Sequence, residues 1–120
     1  MNNNQTTYSA VLGSIVANNR KAQSKEQSGI ATILGITQAS YSRLESGKSS
    51  MTTDQIFLVS KALGIFPSEL LLQVENSVRA LESSGYKVIP QLRGSQGADA
   101  GKVVVGAALG ALLMGILSKR

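Results

Sequence analysis

The stretch from Gln27 to Lys48 constrains this chain more than any other part of it. Two short segments there carry apolar residues at helical spacing, Ile30, Ala31 and Leu34 in the first, Tyr41 and Leu44 in the second. Between them Gly35 supplies a tight turn, Ile36 an apolar plug beneath it, and Thr37 an N-cap for a helix from Gln38 to about Ser46. Gly47 ends that helix in the position glycine favours just past a helix terminus. The first segment begins at a candidate capping box, Ser24 to Gln27, and runs to Leu34. Gly29 inside it costs about 1 kcal/mol relative to alanine, so it relies on neighbours to stay helical.

Those neighbours are legible on both sides. Tyr8, Val11, Leu12, Ile15 and Val16 form one face of a helix running to about Lys21. After Gly47, Thr52 to Gln55 is a second capping box, leading a helix with Ile56, Val59, Ala62 and Leu63 inward and Gly64 as its stop. Pro67 suits a first helical position, and a fifth helix continues to about Ser83. On it Leu71, Val74, Val78 and Leu81 fall at the a–d spacing of a helix–helix seam, a candidate dimer contact. The expected fold is all-α: a five-helix domain over residues 1–83, a Gly/Ser-rich linker over 84–101, and an apolar small-residue helix over 102–120. Within the linker, Tyr86–Ile89 is an apolar island closed by Pro90, enough for one brief strand or turn.

Composition narrows the chemistry. The chain has neither cysteine nor histidine, which removes thiolate nucleophiles, disulfides, the commonest general base and the commonest metal-binding nitrogen. No cofactor or metal is expected, and no nucleophile–base pair can be assembled that would make an enzyme. Residues 1–83 carry seven basic and six acidic side chains, whereas residues 84–120 carry five basic and one acidic. In the first part, the positive charge gathers in Arg20, Lys21, Lys25, Arg43 and Lys48, with only Glu26 and Glu45 among them. Such charge can meet phosphate or an anionic membrane surface. The polar, Asn-rich start lacks the pattern of a signal peptide, which implies a cytoplasmic chain.

Two short helices around a tight turn have a well-known use, in which the second lies in the DNA major groove and the first crosses the backbone. The pattern Gln27…Ile30-Ala31…Gly35-Ile36-Thr37-Gln38…Ser42-Arg43-Leu44-Glu45-Ser46-Gly47-Lys48 resembles the Xre/Cro/C1-type helix-turn-helix family of phage repressors and bacterial regulators. The likeness spans about residues 8–72, through Ala62-Leu63-Gly64-Ile65. It implies that Gln38, Ala39, Ser42 and Arg43 face base edges, where glutamine pairs with adenine, arginine with guanine, and an alanine methyl meets that of thymine. It implies phosphate contacts by Gln27, Ser40, Lys48 and Ser49. It also implies a buried ion pair between Arg20 and Glu45, and double-stranded DNA as partner of a homodimer or larger assembly. Two positions depart from the family pattern: Lys25 stands where a buried leucine is usual, and Gly29 where a helix former is usual.

The tail needs its own reading. Val103 to Leu117 is 15 residues without a charge, a helical length of about 22 Å at 1.5 Å per residue against a hydrocarbon core of about 30 Å. Lys119 and Arg120 at its far end also argue against an ordinary span. Gly97, Gly101, Ala108, Ala111 and Gly115 share one side of a helical wheel, and Gly106 and Gly110 lie opposite. Small residues at this spacing let helices approach closely, so the segment is expected to self-associate or to attach to the inner membrane, peripherally or as an anchor. The leading expectation is a sequence-specific DNA-binding regulator, a repressor. The alternatives are a membrane-attached adaptor that binds a protein partner through the same fold, and the antitoxin of a toxin–antitoxin pair.

Overall fold

The computed structural model describes residues 4–92 and 103–118. Its elements run β1 (Gln5–Thr7), α1 (Tyr8–Ala22), α2 (Gln27–Leu34), α3 (Gln38–Ser46), α4 (Thr53–Leu63), α5 (Pro67–Ser83), β2 (Lys87–Ile89) and α6 (Gly106–Ser118). The architecture is all-α, with one small parallel ribbon attached.

Local chemistry explains most of the boundaries. Thr7 accepts a hydrogen bond from the Ala10 amide at 3.0 Å and starts α1. Thr37 does the same for Ser40 at 3.1 Å and starts α3. At α4 the full capping box forms, with Gln55 N on Thr52 Oγ1 at 3.0 Å and Thr52 N on Gln55 Oε1 at 2.9 Å. α5 opens on Pro67, with the Phe66 amide donating to the Glu69 carboxylate at 3.1 Å.

The start of α2 differs from the expected capping box at Ser24. Glu26 is its N-cap and makes no side-chain cap bond, while Ser24 takes a left-handed φ of 56°. The reason lies nearby: the Arg20 guanidinium takes the Lys25 carbonyl at 2.8 Å, and the Gln27 amide turns to Glu45 rather than back to Ser24. Lys25, in place of an apolar residue, donates through Nζ to the Ala62 carbonyl at 2.6 Å, and Gln23 Nε2 reaches the Leu63 carbonyl at 2.8 Å. Both satisfy carbonyls at the C-terminal end of α4, where a cation is also favoured by the helix dipole.

One core joins all six helices. It contains Val11, Leu12, Ile15 and Val16 of α1, Ile30 of α2, Tyr41 and Leu44 of α3, Val59 and Leu63 of α4, and Leu70 of α5. Tyr8, expected on this face, is instead 41% exposed, because the chain enters α1 from β1 and its first residue points outward. The α5 stripe is also corrected. Val74 and Leu81 are completely buried in the chain's own core and Val78 is half-buried, so of the proposed dimer seam only Leu71 is exposed.

Beyond α5 the chain does not run off as a spacer at once. A turn at Gly85 returns it to the N-terminal end, where β2 pairs in parallel with β1 in the register Gln5 with Lys87, Thr6 with Val88 and Thr7 with Ile89. Gln5 also bridges Val103, and its carbonyl accepts from the Val104 amide at 2.8 Å. That contact delivers α6 onto the domain, where it packs on α1, α5 and α3. Leu109 and Leu113 are buried as completely as any core residue. No single described helix is long and apolar enough to cross a membrane. Of the small-residue stripes, Gly97 and Gly101 lie outside the described residues, and Ala108, Ala111 and Gly115 are exposed. The Gly106/Gly110 face meets the chain's own side chains: added Cβ atoms there would lie 3.8 Å from Ser46 Cβ and 3.6 Å from Ser14 Oγ. This face of the tail packs against α1 and α3 of the same chain.

Candidate functional site

α3 divides its side chains cleanly. Tyr41, Leu44 and Glu45 are buried, while Gln38, Ala39, Ser40 and Arg43 are exposed and Ser42 is half-exposed. The turn before it places Gly35 at the left-handed C-cap of α2, and the Ile36 amide returns to the Ala31 carbonyl at 3.1 Å. The turn after it does the same at Gly47, where the Lys48 amide reaches the Arg43 carbonyl at 2.9 Å. Lys48 is thereby exposed just beyond the helix, and Ser49, half-buried, shares the Arg43 carbonyl at 3.2 Å.

The inner side of α3 is held by a polar network that includes the two residues of the expected ion pair. Arg20 Nε donates to Glu45 Oε2 at 2.7 Å and Nη2 to Oε1 at 3.1 Å, the bidentate fork that guanidinium geometry favours. Tyr41 Oη donates to Glu45 Oε2 at 2.6 Å, and Gln27 Nε2 to Oε1 at 2.9 Å. Burial works against the charged Glu45 carboxylate, but hydrogen bonds from Arg20, Tyr41 and Gln27 outweigh it and hold its pKa below the ordinary value. The Arg20 pKa is raised, chiefly by its hydrogen bond to Glu45. Burial and the hydrogen bond to Glu45 push the Tyr41 phenol far above its usual range.

This network has a consequence for the outer face. Glu45 is the sole carboxylate of α3, and it points inward and is neutralised by Arg20. The exposed side of the helix is therefore polar and cationic, with Arg43 on it and Lys48 beside it. Gln27 sits at the start of α2, half-buried, with one amide N–H on Glu45 and a second N–H left for another acceptor. Ser40 Oγ accepts from Thr37 Oγ1 at 3.0 Å and remains exposed with its own proton to donate. The residues expected to meet base edges thus lie together on α3, and those expected to meet phosphate border it at Gln27, Ser40, Lys48 and Ser49.

Gly13 is a residue that helical periodicity does not single out. A Cβ on it would lie 2.4 Å from the carbonyl oxygens of both Leu44 and Glu45, so α1 crosses the end of α3 backbone against backbone. Gly47 completes the junction, with φ 83° and a Cβ that would come within 2.6 Å of Ala10. The available signal was a glycine amid the apolar face of α1, which marks close approach only once its neighbour is known.

A family model described as helix-turn-helix matches residues 16–70. Among solved structures, the clp gene regulator ClgR from Corynebacterium glutamicum is similar, with a TM-score of 0.62 and 18% sequence identity over 65% of this chain and 83% of that one. At that identity the likeness bears on the fold alone. No curated protein matches the chain.

Proposed function

We propose that the chain is a sequence-specific DNA-binding transcriptional regulator, acting as a repressor, a reading supported by the match of residues 16–70 to a helix-turn-helix family model. α3 enters the major groove, with Gln38, Ala39, Ser42 and Arg43 toward base edges. Gln27, Ser40, Lys48 and Ser49 fix the register on phosphates. The observation that carries this reading is the division of α3: its one carboxylate is locked inward on Arg20, and every outward side chain is neutral or cationic. A helix exposed only for solubility gains nothing from such an arrangement, whereas one approaching polyphosphate does.

Reading two half-sites about 34 Å apart requires a second copy. With the Val74–Leu81 stripe inside the core, the surface that supports dimerisation is the corner between α4 and α5, where Phe57 and Phe66 are 55% and 73% exposed beside one depression. The test is selection of bound sequences from random DNA by the full chain. A paired half-site motif is expected, and absence of any enriched motif overturns the reading. Arg43→Ala should cost about 1–3 kcal/mol on the selected site and relax preference at one position. Lys48→Ala should weaken binding evenly across sequences and lower the salt slope by about 0.9.

A further inference from the structure

The stripe of α3 on which Gln38 stands continues through Ser42 and Ser46, at i, i+4 and i+8. Ser42 and Ser46 then pass into an open cleft of about 620 Å³ between α1, α3 and α6. The α6 side of this cleft lies outside the region that matches the helix-turn-helix model. We propose that the cleft takes the sugar–phosphate backbone of DNA flanking the bases that α3 reads, with Lys21 as its cation. This rests on the DNA-binding reading above and extends the contact surface to the tail.

Three observations carry it. The first is charge: Glu45, the one carboxylate of the lining, is paired with Arg20 behind it, and Lys21 has no salt-bridge partner among the described residues, so Lys21 is the uncompensated charge of the cleft. The second is hydrogen-bonding capacity, since Asn18 and Gln27 share the wall with Lys21 and offer amide donors suited to phosphate oxygens. The third is the opposite wall. α6 presents Ala107, Gly110, Ala111 and the exposed Met114 there, with no acidic residue anywhere along its length. A wall beside a DNA backbone must be free of negative charge, and this one carries none.

The test uses the full chain and the duplex it selects from random DNA, measuring affinity against salt, with thermal melting to confirm that each variant folds. Lys21→Ala should lower the salt slope by about 0.9 and weaken binding roughly three- to tenfold at low salt. Ala111→Glu, on an exposed position of the cleft wall, should cost more than tenfold, and Ala111→Lys should strengthen binding and steepen the slope. Ala108→Glu, equally exposed on α6 but outside the cleft, controls for net charge and should change affinity far less. An unchanged slope in Lys21→Ala, or equal effects of glutamate at 108 and 111, overturns the proposal. So does a cleft that binds inorganic phosphate at Lys21 while DNA affinity ignores every cleft variant, which would assign it to a small anion. If Arg43→Ala still relaxes sequence preference when the cleft variants do nothing, the cleft proposal fails alone. If the wild type binds no DNA, both fail together.

Discussion

α3 is gripped from one side and merely accompanied on the other. Against α1 it has a backbone-to-backbone contact at Gly13, a buried bidentate ion pair and a tyrosine hydroxyl locked to the same carboxylate. Against α2 it has the side chains of Ile30 and Ala31, but α2 itself starts without a side-chain cap, holds Gly29 in open space and leaves Ile33 53% exposed. The two helices of the motif are thus unequal partners. α1, outside the motif, fixes the reading helix through the backbone contact and the buried pair, while α2 packs on both α3 and α4 and adds the Gln27 bond to Glu45. Substitutions at the first junction should therefore affect the whole fold, and substitutions in α2 should be felt locally.

The largest effect should come from Arg20→Ala. It leaves the Glu45 carboxylate buried without its cation and orphans the Lys25 carbonyl, and breaking a buried pair in this way costs about 3–5 kcal/mol. Chemical denaturation of wild type and variant measures it directly, and a loss under 1 kcal/mol would mean the pair is not the clamp described. The same pair sets the acid response. Because the folded pKa of Glu45 is depressed, its contribution is fully present above the unfolded carboxylate value of about 4.3 and is lost as pH falls through the folded value. Wild-type stability should fall in that window, and the fall should shrink in Arg20→Ala. The raised phenol of Tyr41 acts at the other end. Its contribution is present below the ordinary tyrosine value of about 10 and declines as pH rises beyond it.

Gly13→Ala comes next. The added methyl meets two backbone carbonyl oxygens that no rotamer change can move, so α1 and α3 must separate, at a cost of roughly 1–3 kcal/mol. Its signature is twofold: a lower denaturation midpoint, and weaker DNA binding by the fraction that remains folded, because the separation tilts α3. Unchanged binding and unchanged stability would show that the crossing has slack.

What the sequence disclosed and what it hid follow the same division. Thr37, Gly47, Thr52, Gln55 and Pro67 announce the helix ends because each acts on amides within a few residues of itself. The exposed stripe at Gln38, Ala39 and Arg43 was legible for the same reason, since helical periodicity alone turns it away from Tyr41 and Leu44. Gly13, β1 and the seat of α6 were not, because each depends on a partner far along the chain. Gln-Thr-Thr has no alternation to mark a strand, and it becomes one only where residues 87–89 return to it. The a–d run on α5 suggested an intermolecular seam, but periodicity cannot say whether the covering surface belongs to another copy or to the same chain.

The smallest effect lies in α2 and should run the other way. Gly29 is helical and exposed, and a Cβ there meets nothing within 4 Å. Alanine would remove the conformational freedom that glycine adds to the unfolded chain, without a steric cost in the folded one, raising stability by about 1 kcal/mol. Melting should rise by several degrees, while the sequence selected by α3 should stay the same, since α1 and not α2 sets its position. A gain in stability with an altered DNA preference would break the comparison, for it would show that α2 steers the reading helix after all. A loss of stability would mean that the uncapped start of α2 needs the freedom of glycine, and that its looseness is built in.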